Sequence, residues 1–157
     1  MKATVIKVML LALGILISLT VWAAELAMDD TLPAFELQDQ HEQTMRLTED
    51  TRILLFSRGM QASETINQAL TSLSSEKLPQ DLLYVADISA MPSLIAKFVA
   101  LPQMRDLPFR IALDSEGELT RDWPGDAKRA TVIKLERLTV ISMTQVGSSE
   151  ALLEAIK

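Results

Sequence analysis

Cysteine is absent from all 157 positions, which removes disulfide cross-links, thiolate metal sites, thiol redox chemistry and cysteine nucleophiles together. Histidine occurs once, at His41, so a hydroxyl nucleophile has a single imidazole on which to draw. With only 5 glycines and 6 prolines, against 48% hydrophobic and 23% charged residues, the chain is neither disordered nor collagen-like nor of low complexity, and a packed core is expected. Basic residues are also in short supply, 15 against 21 acidic ones, for a net charge of -6. Nucleic acid is therefore an unsuitable partner, since affinity for phosphate backbones rests on excess positive charge.

What the chain does have is an apolar start. Residues 1–7 carry Lys2 and Lys7 and no acid, and residues 8–24 are uncharged and mostly Leu, Ile, Val and Ala. The pattern is that of a secretory signal. Val21 and Ala23 offer modest or small side chains at the −3 and −1 positions a signal peptidase reads, so cleavage is expected after Ala23 or Ala24. A signal peptide over residues 1–23 and one folded domain over 24–157 follow. Loss of the two lysines would take the charge to -8. An uncleaved anchor is the alternative, because the run sits at the short end of what crosses a bilayer. Both readings place the domain outside the cytoplasm, periplasmic or otherwise exported, with membrane contact only through an uncleaved N-terminal segment.

Along the rest of the chain, period-two patterns at residues 32–37 and 44–47 predict a β-hairpin. Residues 52–56 form an apolar run too short for a helix and read as a buried strand. A helix should follow, capped by the side chain of Ser63, with Ile66, Ala69, Leu70 and Leu73 on one face, ending near Glu76 before Pro79. Residues 82–86 predict a second buried strand, and residues 91–101 a second helix with Pro92 in its first turn. Then come residues 109–113, a turn at 114–117 and the segment 118–123. Two last strands are expected at 131–136 and 138–143, with a closing helix capped by Ser148. Strands alternating with helices argue for an α/β domain with a mixed sheet containing parallel strands.

Four stretches in this order resemble the thioredoxin-like fold, and within it the redoxin branch of peroxiredoxins and membrane-tethered thiol-disulfide proteins. Residues 30–39 (Asp-Thr-Leu-Pro-Ala-Phe-Glu-Leu-Gln-Asp) are similar to the redoxin entry pattern, with Asp30 near the usual glycine. Residues 53–56 are similar to the strand that delivers the active-site loop. Residues 107–119 resemble the Pro-Phe, apolar strand, Asp-x-x-Gly segment, and residues 130–136 resemble the strand that normally carries a cis-proline. The resemblance implies a central mixed sheet flanked by helices, preceded by an N-terminal hairpin. It also implies a redox site here altered in both halves: the loop at residues 57–63 has no cysteine, and Ala130 stands at the cis-proline position. Small exported YtfJ-like proteins look nearest, through the cysteine-free, arginine-containing loop Ser57-Arg58-Gly59.

A fold whose groove outlasts its redox residues suggests a non-catalytic domain that binds a protein or peptide. The candidate partner-binding residues are Ser57, Arg58, Gly59, Met60, Ala130 and Thr131, expected to lie close together. On this reading Arg58→Glu weakens partner capture without lowering stability, and Ser63→Ala costs a helix cap. The alternative is a thiol-independent hydrolase or isomerase acting through Ser57, Arg58 or Ser63, for which no second member of a catalytic dyad is in view. No cofactor or metal is expected. His41, Asp39 and Glu42 read as a solvated hairpin tip, the methionines as core filling, and Trp123-Pro124-Gly125 as a turn anchored by one aromatic ring.

Overall fold

The computed structural model describes residues 24–157; the signal-peptide expectation for residues 1–23 lies outside them. A two-stranded antiparallel hairpin, β1 (Glu36–Gln38) and β2 (Thr44–Arg46), precedes a five-stranded sheet. That sheet is built from β3 (Ile53–Arg58), β4 (Leu82–Asp87), β5 (Ala112–Asp114), β6 (Ala130–Glu136) and β7 (Thr139–Val146), in spatial order β5-β4-β3-β6-β7. β3, β4 and β5 are mutually parallel, and β6 runs antiparallel to both β3 and β7. The helices are α1 (Met60–Ser72), α2 (Ser93–Ile95), a π turn (Ala96–Ala100) that leads directly into α3 (Leu101–Arg105), and α4 (Ser149–Ala155).

Alternation of apolar side chains on the central strands produces two cores, one on each face of the sheet. Ile53, Leu55, Tyr84, Ala86, Ala130 and Val132 point to one face, where Ile66, Ala69 and Leu70 of α1, Leu152 of α4 and the α3 residues Leu101 and Met104 cover them. Leu54, Phe56, Leu83, Val85, Ile133 and Leu135 point to the other, beneath Leu32, Leu47, Trp123 and the hairpin side chains Leu37 and Met45. Both crossovers, β3-α1-β4 and β4-α2-α3-β5, therefore lie on one face, as right-handed crossovers advancing in one direction across a sheet must.

Several expected boundaries move, each for a local reason. α1 ends at Ser72, with a separate 3-10 turn at Ser75–Lys77. The serine-rich stretch after Leu70 competes with the helix for backbone partners, Ser72 Oγ donating to the Ala69 carbonyl at 2.6 Å. The second helix begins after Pro92 and continues past Leu101 to Arg105. It does so through the π turn, because Pro102 has no N–H and its ring crowds the carbonyl one turn back. The strand expected at 109–113 is shorter and ends one residue later, at Ala112–Asp114, and the segment 118–123 is turn rather than strand. The Ile111 N–H instead donates to the buried Gln40 Oε1 at 2.8 Å, while Gln40 Nε2 donates to the Met104 and Phe109 carbonyls. One side chain thus stands in for ladder bonds.

Candidate functional site

The loop that leaves β3 turns at Gly59, whose φ is +106°. A Cβ there would sit 2.8 Å from the Ala127 Cα, so this position requires glycine both for its dihedral and for the approach of the loop before β6. Helix α1 starts at once, at Met60. Its N-cap is Gly59, with no side-chain cap bond. The free N–H of Ala62 is satisfied by the carbonyl of Ala127 at 3.2 Å, a backbone cap supplied by a distant segment. Ser63 is therefore not the N-cap. It lies one turn inside the helix, its Oγ 3.0 Å from the Gly59 carbonyl oxygen and 3.0 Å from Ser57 Oγ.

Ser57 Oγ in turn lies 3.0 Å from the hydroxyl of Tyr84. The three hydroxyls form a chain beneath the start of α1. Burial pushes the Tyr84 hydroxyl pKa up, only partly offset by the two serines. Among the described residues no imidazole or carboxylate joins these three hydroxyls in hydrogen bonding, and His41 sits on the β1–β2 connection.

Arg58 closes the same end of the sheet. Parallel pairing sets it opposite Asp87, and its Nε donates to Asp87 Oδ2 at 2.9 Å. The guanidinium also donates to the carbonyls of Thr120 and Trp123 and lies 5.2 Å from the centre of the Phe56 ring. Burial alone would raise the Asp87 pKa, but donors from Ser89 and Arg58 outweigh it and hold the carboxyl below the usual aspartate range. Asp114 folds the other side of the loop, accepting from the Gly117 N–H and from the N–H and hydroxyl of Thr120. Thr131 Oγ1 donates to the Pro124 carbonyl at 2.8 Å. The segment between β5 and β6 is thereby tied down over the β3–α1 junction.

The expected residues are thus brought together, with unequal access. β3–β6 pairing sets Phe56 opposite Thr131, and Gly59 abuts Ala127. Ser57, Ala130 and Thr131 are buried, Arg58 and Gly59 are half-buried, and Met60 is 86% exposed. Arg58 is a clamp between two segments rather than a free surface charge, so the expectation that Arg58→Glu leaves stability unchanged is corrected. At the hairpin tip His41 and Glu42 are exposed as expected, and the expectation is corrected for Asp39 alone. Asp39 is buried, accepts from the His41 and Gln43 N–H groups at 2.8 Å each and pairs with Arg110. Burial works to raise its pKa, yet the Arg110 and backbone donors bring it below the ordinary value. Among the described residues no group of His, Cys, Asp and Glu has the arrangement to hold a metal ion. Sequence reading missed the Arg58–Asp87 pair although a signal was present: two six-residue buried strands each end in a charge, of opposite sign.

No family model and no curated protein matches the sequence. Solved structures do match. A protein assigned as thiol:disulfide interchange protein DsbE from Chlorobium tepidum superimposes with a TM-score of 0.58 at 21% identity, over 84% of this chain and 96% of that one. StoA from Bacillus subtilis gives 0.57 at 12%, over 80% and 97%. Peroxidoxin BcpB from Mycobacterium tuberculosis gives 0.54 at 16%, over 85% and 99%. Together with the sheet order and the N-terminal hairpin, these likenesses establish a thioredoxin-like, redoxin-type fold for this cysteine-free chain.

Proposed function

We propose that the chain is an exported, non-catalytic thioredoxin-like domain that binds a protein or peptide partner at the α1 N-terminal end of its sheet. The observation that carries this reading is Met60, a large apolar side chain held 86% exposed at the first position of α1, on a junction that Gly59, Arg58 and the Ala127 carbonyl make rigid. An exposed, deformable thioether on a fixed mount suits contact with another apolar surface. In this reading Gly59 and Met60 touch the partner, while Ser57, Arg58, Ala130 and Thr131 shape the surface from beneath. A fold neighbour named for thiol:disulfide interchange suggests a polypeptide as the partner class. Export itself is supported by the lysine-flanked apolar run before Glu25.

The test is a photo-crosslinker attached at Met60→Cys, the only thiol in the chain, with Gln80→Cys as the control at the turn before β4. A single species captured from the exported compartment at position 60 and not at 80 is the expected result. Equal capture at both positions, or none at 60, contradicts the proposal.

A further inference from the structure

β5 pairs with β4 only from Val85 to Asp87, so Leu82 and Leu83 have no strand on their outer side. The cause is Gln40. By taking the Ile111 N–H and the Phe109 carbonyl, its side chain holds the chain before β5 away from the sheet. A cleft of about 510 Å3 is left there, with Leu82 and Leu83 on one wall and Thr44–Arg46 of β2 on the other. Its volume lies within the range of small-ligand sites.

Each wall is a strand edge. Along β4 the Asp81 carbonyl accepts on the β3 side and the Ile88 N–H donates on the β5 side, so alternation turns the Leu82 carbonyl toward the cleft. Along β2, Gln43 and Leu47 bond to Asp39 and Phe35 on the β1 side, so Thr44 and Arg46 direct their backbone groups away from β1. The Thr44 carbonyl accepts from Arg110 Nη2 at 3.1 Å, and the Arg46 N–H and carbonyl keep no backbone partner among the described residues. Unpaired strand edges are templates for an added extended segment.

Charge gives that segment a direction. At one end stands Arg110, whose Nε is held by buried Asp39 and whose Nη1 has no acceptor among the described residues. At the other end, just ahead of β3 and β4, stand Asp50 and Asp81, both exposed and in no ion pair among the described residues. Arg46 lies between them, its Nε on Glu36.

We propose that this cleft binds a short extended peptide with free termini, lying parallel to β4 in the place β5 leaves empty. Its C-terminal carboxylate meets Arg110 Nη1, its ammonium group meets Asp50 and Asp81, and its backbone bonds to the edges at Leu82 and Arg46. The cleft lies at the starts of the strands, whereas Met60 follows the end of β3, so the site stands independently of the partner reading above.

Tri-alanine with free termini is the probe, followed through the backbone amide signals of the isotope-labelled protein as recovered from cells. The signals of Arg46, Leu83 and Arg110 should shift on titration while that of Met60 stays in place. Capping both ends, as N-acetyl-tri-alanine amide, should weaken binding roughly tenfold by removing both charged contacts. The double variant Asp50→Asn/Asp81→Asn should weaken it roughly tenfold as well, with no loss in melting temperature because both positions are exposed. Gln80 also borders the cleft, and an adduct of tripeptide mass there is told by mass spectrometry from a partner captured at position 60. Four outcomes overturn the proposal: no shift with tri-alanine, equal binding of the capped peptide, equal binding by the double variant, or shifts centred on Met60, which assign the peptide to the start of α1.

Discussion

Helices α1 and α4 begin in opposite ways. At α4, the Ser148 side chain accepts the Ala151 N–H at 3.2 Å, three residues along the same segment. At α1, no side chain caps the start, and the Ala62 N–H is met by the carbonyl of Ala127. A serine stands near each start, yet only the local bond could be read from sequence. A helix start can thus be closed by tertiary structure, and where it is, the loop providing the closure occupies space in front of the helix. In this molecule the closed start lies at the β3–α1 junction, where the redoxin resemblance placed the cysteine-bearing loop.

Substitutions should separate the two helix starts by size of effect. The largest is expected at Gly59→Ala, which forces a side chain into positive φ and against Ala127, and should cost about 3–5 kcal/mol in urea unfolding. Next is Arg58→Met, which removes the donor shared by Asp87 Oδ2 and two loop carbonyls, while Ser89 still donates to Asp87 Oδ1. Since Arg58 is about one-third exposed, the cost should be about 2 kcal/mol rather than that of a fully buried pair. Ser148→Ala should cost about 1 kcal/mol through its lost cap. Ser63→Ala should be the smallest, within about 0.5 kcal/mol, because the Ser63 N–H still donates to the Gly59 carbonyl and Ser57 keeps Tyr84. If Ser63→Ala proves as costly as Ser148→Ala, the contrast between the two starts fails.

Acid sharpens the same contrast. Asp87 and Asp39 both titrate below the ordinary aspartate range when folded. Their contribution to stability is therefore fully present above about pH 4 and is lost as pH falls through the lowered values. In pH-dependent unfolding, Asp87→Asn should flatten that loss relative to the wild type, and Arg58→Met should flatten it too by raising the Asp87 pKa. Ser148→Ala should change the slope only slightly, since Glu150, whose pKa is lowered by its own backbone N–H and then by the Ser148 side chain, is exposed to solvent.

Much of the architecture was legible because it is written locally. Apolar runs at Ile53–Arg58 and Leu82–Asp87, and the Ser148 cap, state their structure within a few residues. The redoxin resemblance supplied the order of elements, and the strand pairing agrees with it. What sequence could not show depends on residues far apart. Gln40 replaces a ladder for Ile111, and the extension of a helix past Pro102 depends on a π turn that lets Leu101 and Met104 reach the core. The candidate site was only half legible for the same reason. Pairing of β3 with β6 brings residues 57–60 near 127–131, but their burial follows from tertiary packing: helix α1 covers Ser57 and Ala130, and the loop held by Arg58 and Asp114 covers Thr131.

Closure of the α1 start by the chain's own distant loop can be read by hydrogen exchange at the Ala62 amide. Ala62 should be protected in the wild type well beyond an exposed first-turn amide, and Arg58→Met should lower this protection while leaving that of Ala151 unchanged. An Ala62 amide that exchanges as freely as an uncapped helix start, or one indifferent to Arg58→Met, contradicts it.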